Sequence, residues 1–329
     1  MPAALRQGDL GEAVRDLHQR LVGAGHDTSA DEPGSFGAAT ERSVRAFQEE
    51  RGLRVDGVVG RQTWSALVES GYSLGDRLLY LRRPMVRGDD VADLQHRLNA
   101  LGFDAGREDG ILGGDTHAAV VEFQTAVGLA GDAICGATTI AALDRVGSFA
   151  AGSAAGLRER LRSGPPRLAG RRVYVAATPG FTALGEQVSR GLLEAGATTV
   201  LDTSGDEDSF VAGEANRFAA DLFLALRTGD APACRCSYFA SARFQSDVGR
   251  AVATSVHVAL ASVLPTEAEV CGKAYAVLRE TRMPAVVCEL VTDGNVDAMR
   301  VLVANSGAAA RAVVSGVRQA IEQPDPTAP

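Results

Sequence analysis

Lysine is almost missing from this 329-residue chain. Lys273 stands alone, and the other 32 of the 33 basic residues are arginine, which with the many alanines reads as genomic base composition rather than physics. Histidine is also scarce. Four of the five, His18, His26, His96 and His117, fall in the first 117 residues, leaving His257 alone in the C-terminal half. No run approaches the ~18 apolar residues of a membrane span. The five cysteines, Cys135, Cys234, Cys236, Cys271 and Cys288, are odd in number and lack paired C-x-x-C spacing. That pattern suits reduced thiols better than a disulfide framework or a zinc knot. The net charge of -8 argues against nucleic acid, whose phosphates call for clustered Lys and Arg. A secretory leader would need a basic start and an apolar run, whereas Met1-Pro2-Ala3-Ala4 leads directly into patterned sequence. The expectation is a cytoplasmic protein.

What the chain does have is a duplication. Val14, Leu17, Arg20, Leu21 and Gly25 reappear as Val91, Leu94, Arg97, Leu98 and Gly102, at an offset of 77. Phe47, Gln48, Gly52, Leu53, Asp56, Gly60, Thr63 and Leu67 reappear as Phe123, Gln124, Gly128, Leu129, Asp132, Gly136, Thr139 and Leu143, at an offset of 76.

Each copy predicts three short helices. Val14, Leu17 and Leu21 share one helical face, as do Val44 and Phe47. Gly25 and Gly102 end the first helix of each copy. Asp56-Gly57 supplies turn chemistry and Gly60 a second turn before Thr63-Trp64-Ser65-Ala66-Leu67. The second copy has Ala133 where the first has Gly57. Phe47 and Phe123 are expected in equivalent core positions, with Trp64 at a core edge.

The succession V-x-x-L-x-x-R-L, then F-Q-x-x-x-G-L, then D-G-x-x-G-x-x-T-x-x-x-L resembles the three-helix peptidoglycan-binding repeat found beside cell-wall hydrolases, over roughly residues 5 to 146. The resemblance implies glycan or muropeptide binding. Its candidate contacts are Asp56, Gly57, Gly60, Thr63 and Trp64, with Asp132, Gly136 and Thr139 in the second copy. Core packing and turn geometry account for the same residues equally well.

Domains are expected at 1–72 (first repeat), 80–147 (second repeat) and 171–323, with a linker at 148–170 and a tail at 324–329. The linker is rich in Ala, Gly, Ser and Arg, with a helical stretch around Leu157 to Leu161. Beyond it, strands are predicted at Arg172 to Ala177, Thr198 to Asp202, Leu222 to Leu226, Ala274 to Leu278 and Ala285 to Glu289. Helices are predicted at Leu184 to Ala195, Glu214 to Ala220, Phe244 to Leu264 and Ala308 to Gln323. Alternating strands and helices imply an open α/β sheet covered on both faces. The fold class is therefore multidomain: two all-α three-helix repeats, then an α/β open-sheet domain.

Residues 171 to 323 resemble the zinc-dependent N-acetylmuramoyl-L-alanine amidases of the type 3 family. Val173 to Gly180 is similar to their first strand and D-P-G-H turn. Glu214 to Leu226 is similar to A-N-x-x-x-A-D-L-F-I-S-I. Gly272 to Arg279, Met283 to Glu289 and Asn295 are similar to R-G-x-K-x-x-x-x-V-L-R, P-A-V-L-V-E and the N that follows.

That resemblance implies a Zn²⁺ held by two His and one Glu, with a water on the open position. In this sequence the first His position falls on Phe181 and the second on Arg227, a fixed cation. The segment that would carry the ligand Glu is deleted, since only six residues separate Phe181 from Val188. Glu289 matches the general base. It also has a structural reading, as a carboxylate retained to pair with Arg227. His257, in an apolar helical stretch, reads as a packing residue.

The whole pattern resembles the CwlM-type regulators of cell-wall synthesis and implies an inactive amidase homologue without metal or other cofactor. Its implied partners are peptidoglycan fragments or precursors and a cytoplasmic precursor-synthesis enzyme, such as the UDP-N-acetylglucosamine enolpyruvyl transferase. Two alternatives stay open: a divergent, zinc-bearing amidase, and a non-enzymatic muropeptide-binding adaptor.

Overall fold

In a computed structural model of the chain, the structure describes residues 4–147, 167–241, 244–267 and 269–322. The expected linker helix and tail lie outside these residues. Two compact units are distinguished, one helical and one built on a sheet.

The helical unit holds both repeats. Repeat 1 contains α1 (Glu12–Gly23), α2 (Ala38–Glu50) and α3 (Arg61–Glu69); repeat 2 contains α4 (Asp89–Ala100), α5 (Gly114–Ala126) and α6 (Ala137–Gly147). The predicted stripe is the buried one: Val14, Leu17, Leu21, Val44 and Phe47 are fully buried together with Phe36 and Leu67. Val91, Leu94, Leu98, Val120, Phe123 and Leu143 form the matching core of repeat 2. Trp64 packs at the core edge beneath the Arg20 guanidinium, 5.5 Å from the ring centre.

A buried glutamine staples each repeat. Gln48 Nε2 faces Asp56 Oδ1 at 2.9 Å, the Val58 carbonyl at 3.0 Å and Thr63 Oγ1 at 3.1 Å, while its Oε1 accepts from the Gly57 amide. Gln124 does the same with Asp132, Ile134, Thr139 and the Ala133 amide. A third instance, at Gln95 with Asp109, Ile111, Thr116 and the Gly110 amide, joins α4 to the loop before α5. The turn residue at this motif has positive φ, 73° at Gly57 and 71° at Gly110, and Ala133 adopts 60° against its own preference.

The second unit contains β1 (Arg172–Ala177), α7 (Thr182–Glu194), β2 (Thr198–Asp202), α8 (Asp208–Phe218), β3 (Leu222–Gly229), β4 (Arg235–Phe239), α9 (Asp247–Leu260), β5 (Cys271–Lys273), α10 (Ala276–Glu280), β6 (Ala285–Thr292), α11 (Val296–Ala304) and α12 (Ser306–Glu322). The sheet order is β2-β1-β3-β6-β4-β5. β2, β1, β3 and β6 are mutually parallel, and β4 with β5 runs against them.

Side-chain alternation sorts the two faces. Leu222, Leu224 and Leu226, with Val286, Cys288, Cys236 and Tyr238, join the main core with α7, α9 and α12. The intervening residues, Phe223, Ala225 and Arg227 on β3, Val287 and Glu289 on β6, and Arg235 on β4, turn toward the opposite face, where α8 and α10 pack on one another.

One expected strand is overturned. Residues 274–278 are not a strand: β5 ends at Lys273 and α10 begins at Ala276. The Tyr275 carbonyl accepts from both Leu278 and Arg279 amides, which closes a helical turn. A short apolar run fits either state, and here the turn wins. Three further elements had no counterpart in the expectation: β4, β5 and α11. α11 starts at an N-cap visible in the sequence, with Asn295 Oδ1 accepting from the Ala298 amide.

Candidate functional site

The polar residues of the segments that resemble the amidases are first of all structural. Asp221 ties β3 to β1, its amide donating to the Arg172 carbonyl and its carboxylate accepting from the Arg172 amide. Asn216 on α8 donates to the Glu280 carbonyl and accepts from the Arg282 amide, which clamps α8 to the end of α10.

At the C-terminal rim of β3 and β6, charge is concentrated. Glu289 is only 3% exposed. Arg227 lies opposite it in the β3/β6 register, and Arg235 opposite it in the β4/β6 register. Arg235 is the nearer partner, with Nε at 3.0 Å and Nη2 at 2.6 Å from Glu289 Oε2. It also pairs with Asp230. Tyr275 donates its hydroxyl to Glu289 Oε1 at 3.1 Å. Arg227 Nη2 comes to 3.7 Å from Oε1, lies over the Tyr275 ring at 4.5 Å, and donates Nη1 to Asp208 at 3.2 Å.

The expected pairing of Arg227 with Glu289 is present as a 3.7 Å ion pair, not as a bidentate hydrogen-bonded one. The two side chains share the rim, but Arg235 makes the hydrogen bonds and Arg227 is bonded to Asp208. The register shift between Arg227 and Thr228 is where the β3/β6 pairing becomes irregular at this rim. Arg235 reaches Glu289 through β4, a strand that the apolar pattern of the sequence does not mark.

Burial works against the Arg235 cation, yet Glu289 and Tyr275 beside it more than offset this and hold the guanidinium above its ordinary pKa. Burial, reinforced by the Glu289 carboxylate, pushes the Tyr275 hydroxyl up. Gly229 makes the arrangement possible: a Cβ there would fall 2.6 Å from Glu289 Cβ.

Beside the cluster, at the ends of β1, β2 and β3, lies a small open cleft, lined among others by Thr178, Asp202, Asp206, Asp208 and Arg227. Phe181 is 2% exposed and belongs to the main core, at the N-terminal end of α7. His257, on α9, gives Nε2 to the Glu267 carbonyl at 3.0 Å. Among the described residues no three His, Cys, Asp or Glu side chains converge where an ion could sit. The residues at the rim do not fit a zinc ion, because their carboxylates are already turned onto guanidiniums.

In the repeats, the candidate ligand contacts Asp56, Thr63, Asp132 and Thr139 are held by the glutamine staples, with Gly57 at the turn. Gly60 and Gly136 precede α3 and α6, their carbonyls accepting from Trp64 and Ile140. The motif occurs a third time, as the D-G-x-x-G-x-x-T of Asp109 to Thr116.

Fold and motifs define a class: paired peptidoglycan-binding-type repeats followed by an amidase-type α/β unit. The sequence model described as "Putative peptidoglycan binding domain" matches residues 11–67 and 87–143. The chain is 32% identical to the N-acetylmuramoyl-L-alanine amidase CwlM of Mycobacterium tuberculosis, over 96% of this chain and 89% of that protein, and it belongs to that family. It is 33% identical to the N-acetylmuramoyl-L-alanine amidase CwlL of Bacillus licheniformis, over 42% of this chain and 44% of the relative. The solved N-acetylmuramoyl-L-alanine amidase AmiC2 of Nostoc punctiforme aligns at a TM-score of 0.40 and 17% identity, covering 47% of this chain and 99% of its own.

Proposed function

We propose that this chain is a catalytically inactive homologue of the N-acetylmuramoyl-L-alanine amidases, acting in the cytoplasm as a regulator or scaffold of peptidoglycan-precursor synthesis. The observation that carries this reading is the cation pair around Glu289. A general base must be free to take a proton from a metal-activated water. Here one carboxylate oxygen accepts two Arg235 N–H groups, and the other accepts Tyr275 and faces Arg227.

By resemblance, Phe181 and Arg227 stand at zinc-ligand positions, and neither side chain can donate to the metal. Without metal a lone carboxylate makes a poor hydrolase. In this reading the repeats engage peptidoglycan fragments or precursors, while the amidase-type unit engages a precursor-synthesis enzyme such as the enolpyruvyl transferase.

A second reading is a divergent amidase that binds zinc, for which the open cleft that reaches Arg227 would be the available space. Metal analysis together with a muropeptide hydrolysis assay separates the two. A third reading is a simple muropeptide adaptor. Capture from cytosol separates it from the regulator: a regulator retains a precursor-synthesis enzyme, whereas an adaptor retains muropeptides alone.

A further inference from the structure

The two repeats serve as controls for each other, and they differ in the strand-like segment that leads into their first helix. In repeat 1 the bridges Leu5 to Val59 and Leu10 to Ser35 bracket Arg6-Gln7-Gly8-Asp9. In repeat 2 the equivalent bridges, Leu79 to Cys135 and Arg87 to Ile111, bracket Tyr80-Leu81-Arg82-Arg83-Pro84-Met85-Val86. The second copy is three residues longer here, and a polar, acid-containing connection has become apolar and basic.

The fold makes little use of the added side chains. Leu79 and Val86 are buried and anchor the loop at its two ends. Leu78, Tyr80, Leu81 and Met85 remain 41–59% exposed, and Ile134, on the strand segment bridged to Leu79, extends the patch. Arg82, Arg83 and Pro84 are exposed between them. Seven of the eight residues from Leu78 to Met85 are thus at the surface. A contiguous exposed apolar patch of this kind marks an interaction site.

Charge selects the occupant. The chain carries a net -8, yet from Arg77 to Gly88 there are four arginines and no acid; Arg77 is taken up by the buried Asp90, which leaves Arg82 and Arg83 as the exposed cations of the loop. Leucine, tyrosine and methionine interleaved with arginine suit a bilayer interface, where apolar side chains enter the acyl boundary and guanidiniums remain at the phosphates. We propose that the 78–85 loop of repeat 2 docks this protein on an anionic lipid surface, without crossing it. Among the described residues no helix is long and apolar enough to span a membrane, so such an attachment would be peripheral and reversible.

The test is co-sedimentation of the full chain with vesicles of phosphatidylglycerol and, separately, of phosphatidylcholine at low salt. The expected result is binding to the anionic vesicles, weakened by salt and at least about tenfold weaker to the neutral ones. Leu81→Asp with Met85→Asp, and separately Arg82→Glu with Arg83→Glu, should each abolish it. Arg6→Glu in the repeat 1 connection should leave it unchanged. All four positions of the two double variants are exposed, and an unchanged circular dichroism spectrum confirms folding. The proposal is overturned by absence of binding to phosphatidylglycerol vesicles, by equal binding to both lipids, or by loss through the arginine variant alone, which would indicate plain electrostatic adsorption. Concentration-dependent self-association removed by the same variants, with no lipid binding, would assign the patch to a second copy and overturn it equally.

Discussion

Arg235 and Glu289 face one another across the antiparallel β4/β6 pair, and the guanidinium brings Nε and Nη2 to the same carboxylate oxygen at 3.0 and 2.6 Å. Both side chains are nearly excluded from water. Removing one partner of such a pair leaves the other buried and uncompensated. Arg235→Ala should therefore cost about 3 to 5 kcal/mol. Arg227→Ala should cost less, about 1 to 2 kcal/mol, because its contact is longer and its surroundings wetter. Urea unfolding followed by circular dichroism measures both. Tryptophan fluorescence does not serve, since the single tryptophan, Trp64, lies in repeat 1. Equal costs for the two variants would contradict the assignment of Arg235 as the principal partner.

Gly229 sits where Glu289 must lie flat against β3. With 2.6 Å between an added Cβ and Glu289 Cβ, Gly229→Ala should displace the carboxylate and cost about 1 to 3 kcal/mol. Its effect should be less than additive with Arg235→Ala, because both act on Glu289. Full additivity in the double variant would show that Gly229 acts elsewhere.

Phe47 is fully buried in repeat 1, with His26 edge-on at 5.7 Å. Phe47→Ala should cost that repeat about 3 to 5 kcal/mol, read through Trp64 fluorescence during denaturation. A cost within error of zero would mean that Phe47 is not a core residue.

Ala133 holds a left-handed conformation that Gly57 and Gly110 adopt freely at the equivalent turns. Ala133→Gly should relieve strain of about 1 to 2 kcal/mol, reduced by glycine's greater entropy in the unfolded chain, for a net gain of roughly 1 kcal/mol or less. Calorimetry of the full chain should show the repeat melting higher; a lowered melting temperature would contradict this reading.

These relationships differ in how far the sequence discloses them. The repeats were legible because apolar spacing at 3.6 residues and the D-G turn recur at a fixed offset, so two copies check each other. β1, β3 and β6 were legible as apolar runs, the last two reaching a charged residue at Arg227 and Glu289. β4 was not, since Arg235-Cys236-Ser237-Tyr238-Phe239 is short and carries a buried serine with no simple alternation of polarity. With β4 went the knowledge that Arg235, rather than Arg227, bonds Glu289. Residues 274–278 failed for a different reason: the apolar pair Val277-Leu278 is buried in α10, and period alone does not distinguish that from a strand.

The most direct test of the central claim is to equilibrate the purified full chain with Zn²⁺, remove loosely bound metal, count the zinc retained and assay the same sample for release of stem peptide from muropeptides. The account predicts zinc far below stoichiometry and no release, with or without chelator. About one tightly held zinc per chain, with hydrolysis abolished by a chelator, would contradict it.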